Sequence, residues 1–248
     1  MSFAAPVYAQ QSSSTNYQVN EVFFGSGGEL EACSGGQYCA KQSAGELTVG
    51  STKSTNYKAQ AGFNTDRTPW IEVSVQTPSV NMGVLDSSHP NIGTAQFYVK
   101  SYLSSGYVVQ TVGTPPTYAG HTFTTPNTPA TSSPGTEQFG MNLVANTAVT
   151  GAVDGTGTSM PNFGTDPVQH TDAGFPSDPF GLGDAYNSGS QVYDTTNQFK
   201  YTSGDIIASA SSSSGYTYYT ISYIFNISPV TPAGTYIMNQ SLVATGTF

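Results

Sequence analysis

Four aspartates, Asp166, Asp172, Asp178 and Asp184, recur at six-residue intervals in a stretch that also carries Asp154 and Asp194 and holds no Lys or Arg. Hard carboxylate oxygens gathered in one loop are the ligand set that Ca²⁺ takes. No EF-hand pattern is present and the intervening segments differ, so the same residues also suit a solvated acidic loop.

The second candidate is Trp70 with Glu72. Trp70-Ile-Glu-Val-Ser-Val75 alternates with period two, which puts Ile71, Val73 and Val75 on one face and Trp70, Glu72 and Ser74 on the other. An indole beside a carboxylate on a sheet surface can stack on a sugar ring and hold its hydroxyls. A Trp covered by a loop or a second sheet is the other reading of the same pattern.

Catalysis finds less support. A glycosidase needs two carboxylates facing each other across a cleft, and Glu21, Glu29, Glu31, Glu46, Glu72 and Glu137 form no matching motif. A Ser-His-Asp hydrolase would have to use His89, His121 or His170, all in turn-like contexts, and no Gly-x-Ser-x-Gly elbow occurs. The expectation is a non-enzyme without a cofactor, Ca²⁺ at the aspartates excepted. Lys100, on the polar side of its strand, could join an Asn or Asp next to a buried acid, as lysines do in some bacterial surface sandwiches. A solvated strand lysine is the commoner case.

Cys33 and Cys39 flank Ser-Gly-Gly-Gln-Tyr, whose glycines let the ends meet, so a small disulfide ring in an oxidising compartment is expected. A ring this short contributes only about 2–2.5 kcal/mol and pins a local turn. Val7-Tyr8-Ala9 before Gln10 fits a signal-peptidase site, although the charged and apolar regions of a full signal are missing. Residues 1–9 therefore read as a signal-peptide remnant, and the protein as exported.

The elements that would carry these groups are strands. Candidates run over Ala95–Leu103, Gly106–Val112, Gln138–Asn146, Tyr216–Ser228 and Thr235–Phe248. The short spacer Ser104-Ser105-Gly106 reads as a hairpin turn. About eight strands without one amphipathic helix predict an all-β fold, an antiparallel β sandwich or jelly roll. Two long irregular loops interrupt it, 113–136 (Pro-rich) and 150–198 (Gly- and Asp-rich). The domain reading is residues 10–45 as an arm with the disulfide loop and 46–248 as the sandwich.

Composition sets the limits. The chain has 248 residues, of which 8 % are charged, with a net charge of −9; soluble domains average about 25 %. So few cations cannot neutralise a phosphate backbone, which argues against a nucleic-acid partner. No apolar run approaches the roughly 18 residues of a membrane span.

Ile221-Ser-Tyr-Ile-Phe-Asn-Ile-Ser-Pro-Val-Thr-Pro-Ala-Gly-Thr-Tyr236, followed by Leu242-Val-Ala-Thr, resembles the closing hairpin of secreted bacterial surface sandwiches. WxL-type wall-binding proteins and spore-coat- or pilus-like sandwiches share this Pro-Ala-Gly-Thr-Tyr turn. The chain lacks the Trp-x-Leu motif and a Leu-Pro-x-Thr-Gly sorting signal, so peptidoglycan binding through that motif is not implied. Gln37–Gly50 with Ala61–Thr65 is similar to uncharacterised exported proteins of ultrasmall epibiotic bacteria. Both resemblances imply an extracellular, cell-surface setting.

The combined expectation is a non-catalytic exported structural or adhesive protein, a filament or surface-layer subunit. Its partners would be other copies of itself or cell-surface proteins. The alternative is a carbohydrate-binding, lectin-like module, calcium-dependent through the aspartates, with glycans as partners.

Overall fold

The computed structural model describes residues 69–102, 104–169 and 181–248, together with the backbone of six strands in the first 68 residues. The chain divides into two compact units, Met1–Arg67 and Thr68–Phe248. In the first, β1 (Ser12–Ser13) pairs with β2 (Gln18–Val19), β3 (Gly27–Ser34) with β4 (Tyr38–Ala44), and β5 (Gly50–Lys53) with β6 (Lys58–Ala61). All three pairs are antiparallel. The β3–β4 register sets Cys33 directly opposite Cys39. The side chains of both cysteines, and residues 1–9, lie outside the described residues.

The second unit carries β7 (Trp70–Val75), β8 (Asn91–Tyr102), β9 (Gly106–Val112), β10 (Thr117–Tyr118), β11 (His121–Thr122) and β12 (Gln138–Asn142). They are followed by β13 (Val168–Gln169), β14 (Asp184–Ala185), β15 (Asn187–Ser188), β16 (Gln191–Val192), β17 (Ile206–Ala210), β18 (Ser214–Asn226) and β19 (Ser241–Thr247). One antiparallel sheet has the order β12-β18-β8-β7, with β13 also on β18; the other runs β14-β17-β9-β19. Alternation then builds a shared core. Phe97 and Val99 of β8, Tyr219 and Ile221 of β18, and Phe139 and Met141 of β12 meet Tyr107 and Val109 of β9 and Ile207 of β17 in one buried cluster. The fold is an all-β antiparallel sandwich, as composition and alternation predict.

Two expected hairpins are corrected. β8 and β9 belong to different sheets, so the chain crosses the sandwich at Ser104-Ser105 rather than folding back beside itself. β17 and β18 cross at the same corner, and buried serines clamp the two crossings together. The Ser104 N–H donates to Ser213 Oγ at 3.0 Å, and Ser213 Oγ donates to the Ser104 carbonyl at 3.1 Å. The Ser214 N–H donates to Ser101 Oγ at 3.1 Å. Gly106 leaves the corner at φ +142°, where a side chain is disfavoured. The segment between β18 and β19 likewise crosses from one sheet to the other, so the closing pair is not a hairpin either. β19 begins only at Ser241, and Tyr236 and Met238 pack on the core from the segment before it.

β7 also departs from expectation. Of its inward face only Ile71 packs on the core; Val73 and Val75 are 37 % and 52 % exposed. The strand is the edge of its sheet, and Val75 at its end borders an open cleft.

The two long loops contain the small pairs β10–β11 and β15–β16. Part of the second loop covers one half of the outer face of the five-stranded sheet. There Ile92 and Ile224 are buried with Val149, Ala152, Phe163 and Phe199 in a second small core. The other half of that face carries the candidate site.

Candidate functional site

Trp70 and Glu72 stand on the outer face of β7, as the alternation predicts. The register places Trp70 opposite Tyr102, Glu72 opposite Lys100 and Ser74 opposite Tyr98. On its other side β8 pairs with β18 in a register that brings Tyr98 opposite Tyr218. Three adjacent strands thus raise Trp70, Tyr98, Tyr102, Tyr216 and Tyr218 on one face, all half-buried.

Contacts among these groups fix the surface. Tyr98 Oη donates to Glu72 Oε1 at 2.9 Å. The Tyr98 ring meets Tyr216 edge-on at 5.1 Å and Tyr218 at 5.4 Å between centroids. Trp70 and Tyr102 lie 6.3 Å apart, tilted by 34°. Lys100 Nζ sits 4.3 Å from the centre of the Tyr216 ring and 5.3 Å from that of Trp70. Each such cation–π contact contributes about 0.5–1 kcal/mol at a partly exposed position. A crosslinking lysine would need an Asn or Asp against its amine; Lys100 has aromatic rings there instead. Among the described residues, the lysine that meets an acid in the interior is Lys200, bound to Asp205.

The arrangement suits recognition by stacking and hydrogen bonding. Aromatic rings on adjacent strands are held rigidly by the ladder, so binding does not have to order them. The Glu72 carboxylate and the Lys100 ammonium supply an acceptor and donors within the same patch.

The aspartates are only partly placed. Asp166 Oδ1 accepts the Ala145 N–H at 3.0 Å, and Asp184 is exposed on β14. Asp172 and Asp178 lie outside the described residues, as does His170. Among the described residues no group of three His, Cys, Asp or Glu could hold a metal ion.

Glu137 and His121 form a second polar cluster. His121 Nε2 lies 2.8 Å from Glu137 Oε2, which also accepts from Thr231 Oγ1 at 2.9 Å. Glu137 Oε1 accepts from the Thr124 N–H and from Thr124 Oγ1. Burial alone would raise the Glu137 pKa, but the hydrogen bonds from His121, Thr124 and Thr231 outweigh it and hold the carboxyl below its ordinary value. A depressed folded-state pKa stabilises the fold above the unfolded value of 4.5, and that contribution is lost as pH falls through the folded value. Glu137→Gln is therefore expected to melt lower than wild type at pH 7, by about 1.5–3 kcal/mol for hydrogen bonds to a charged acceptor. The gap should narrow as pH falls below 4.5 and close once pH has passed through the folded value. Thermal melts of both proteins across this range check it, and a gap independent of pH would refute the assignment.

Sequence reasoning missed the four tyrosines; the alternation Tyr98-x-Lys100-x-Tyr102 and the pair Tyr216-x-Tyr218 are the only local signals of them. They become one site only once β8 and β18 are known to be neighbours. Comparison with protein-family models, with curated proteins and with solved structures finds no match.

Proposed function

We propose that this is a non-catalytic, exported cell-surface protein that adheres through the aromatic outer face of its five-stranded sheet, with neutral glycans as ligands. The observation that carries the reading is the grouping of Trp70 and four tyrosines with Glu72 and Lys100 on one face. Sugar rings offer an apolar face to aromatic rings and a hydroxyl edge to polar neighbours. The net charge of −9 disfavours acidic polysaccharides and leaves neutral ones as the better fit.

Export is supported by the cysteine register. Directly opposed residues on antiparallel strands have Cα separations of about 4.5–5.5 Å, inside the range that a disulfide spans. Calcium at the acidic loop would be an accessory to binding.

The test is retention on neutral polysaccharides, with Ca²⁺ and with chelator, for wild type, Trp70→Ala and Tyr216→Ala. Both substitutions should abolish retention while the thermal midpoint moves by no more than about 4 °C, the shift expected for a small stability change in a unit of this size. Undiminished retention in both variants would remove the site.

A filament or surface-layer subunit is the second reading. It is favoured by β7 and β19, which lie at the ends of their sheet orders and offer edges for strand addition. Fibres in negative stain that persist in Trp70→Ala would move the function to those edges.

A further inference from the structure

Away from the aromatic face, the sandwich opens into a cleft of about 930 Å³ between the segment after β7 and the segment before β19. Its floor is the core itself: Phe97, Phe139, Ile221 and Tyr223 line it, and the first three are at most 3 % exposed. One wall offers Val80, Met82 and Leu85, the other Tyr236, Met238 and Leu242, all packed on the core and only partly buried. Among the described residues, none that lines the cleft is charged.

Both walls are braced from behind. Asn91 Nδ2 donates to the carbonyls of Met82 and Val84, at 2.8 and 3.1 Å. Gly83, at φ +69°, packs against the backbone of Gly155 so closely that no side chain fits. On the other side, Ile237 exchanges backbone hydrogen bonds with Thr117 at 3.0 and 3.2 Å, and Tyr236 Oη donates to the Pro232 carbonyl. The cleft is thus largely preformed, as small-molecule sites usually are. Met82 and Met238, unbranched and adaptable, suit a flexible apolar ligand.

We infer that this cleft binds an uncharged amphiphile, with an alkyl chain between the sheets and a neutral hydroxyl or ester head at the mouth. The chemistry selects against other occupants. A peptide strand pushed onto the floor would bury backbone N–H and C=O groups against side chains that offer no partners, whereas an alkyl chain has none to satisfy. A fatty-acid carboxylate would find no cation among the described residues of the lining. The polar groups deepest in the cleft are already engaged: Tyr223 Oη donates to Gln240 Oε1, and Gln240 Nε2 donates to Thr111 Oγ1. The head therefore belongs outside, beside Asn81, Thr235 and Asn239, which are exposed at the lips.

The test titrates the full chain with N-phenyl-1-naphthylamine, an uncharged fluorescent probe. Saturable binding is expected, displaced by dodecan-1-ol and by glycerol monododecanoate, whose relative strength separates a free alcohol from a glycerolipid as the source. Dodecanoate should compete about tenfold more weakly. Met82→Lys and Met238→Arg, checked by circular dichroism for an intact fold, should each weaken the probe by about tenfold or more. Val230→Ser removes an exposed side chain outside the cleft and should change nothing. Several results would overturn the inference: no saturable binding, unchanged binding in both cleft variants, loss of binding in Val230→Ser, or dodecanoate competing as well as the alcohol.

Discussion

The sandwich is expected to unfold cooperatively above about pH 11, and to do so because its core is built on tyrosine hydroxyls. Tyr107, Tyr193, Tyr219 and Tyr223 are each at most 9 % exposed, and burial pushes all four phenols above the ordinary value of 10.0. Neighbours reinforce the shift in places. Tyr193 donates to the Asp205 carboxylate at 2.9 Å, so ionising it would set two anions side by side. Tyr107 and Tyr219 share one hydrogen bond of 2.8 Å between their hydroxyls. A folded-state pKa raised above the unfolded one gives stability that is complete below pH 10 and is lost as pH rises, because the unfolded chain releases the protons first. Each tyrosine whose hydroxyl stays protonated in the fold then removes about 1.4 kcal/mol per pH unit, so Tyr193, Tyr219 and Tyr223, the most strongly shifted, together cost about 4 kcal/mol at pH 11, and Tyr107 adds to it in the same direction. That approaches the lower end of a typical domain's stability, about 5–15 kcal/mol, and the loss grows with each further pH unit. The measurement is tyrosinate absorbance recorded alongside circular dichroism on raising the pH. Part of the tyrosinate signal should appear only together with loss of structure, and Tyr219→Phe should make the pH dependence shallower by about one proton. If all tyrosines titrate while the spectrum stays native, the buried hydroxyls are not what limits the fold.

The same tyrosines show how far the fold could be read in advance. Period-two alternation found the outer face of β7, because burying one side of a strand forces polar and apolar residues to alternate. It could not tell a hairpin from a crossing between sheets. Ser104-Ser105-Gly106 has the length of a tight turn, yet what decides its path is the hydroxyl of Ser213, more than a hundred residues later. Edge position was equally hidden: Ile71, Val73 and Val75 have the composition of a core face, and only the structure shows that the strand is an edge on which two of them stay exposed.

The candidate site divides along the same line. Trp70 and Glu72 were legible because both belong to one strand and local alternation aims them together. The contact of Lys100 with Tyr216 spans two strands whose adjacency is a long-range fact. The cleft was illegible for a related reason. Its lining residues read as ordinary apolar strand and turn positions, and the gap arises only from how two loops flank the end of the sandwich.

Breaking the buried pair of Lys200 and Asp205 from one side should produce the largest loss of stability from a single substitution. The residues are 2 % and 8 % exposed, and Lys200 Nζ lies 2.6 Å from Asp205 Oδ2. Lys200 Nζ also donates to the Ser190 carbonyl at 2.7 Å, and it lies 5.5 Å from the centre of the Tyr193 ring. The backbones are anchored as well, Lys200 exchanging hydrogen bonds with Met141 of β12 and the Asp205 carbonyl accepting from Thr111 of β9. The pair therefore fastens the segment after β16 to both sheets. Lys200→Met leaves a buried carboxylate with the Tyr193 hydroxyl but no countercharge, and Asp205→Leu strands the ammonium. Each should cost about 3–5 kcal/mol, which lowers the thermal midpoint by about 6–20 °C in a unit of this size. The double variant Lys200→Met/Asp205→Leu removes both charges at once and should recover most of that loss, since an apolar pair of similar volume often matches a buried ion pair. Denaturant unfolding of the four proteins closes the cycle, with a coupling energy of at least about 2 kcal/mol expected for groups in direct contact. Additive losses would mean that packing around the two stems, rather than the charges, holds this segment. A restored double variant that also kept retention on glycan would show the pair acting on the fold alone, independently of the aromatic face.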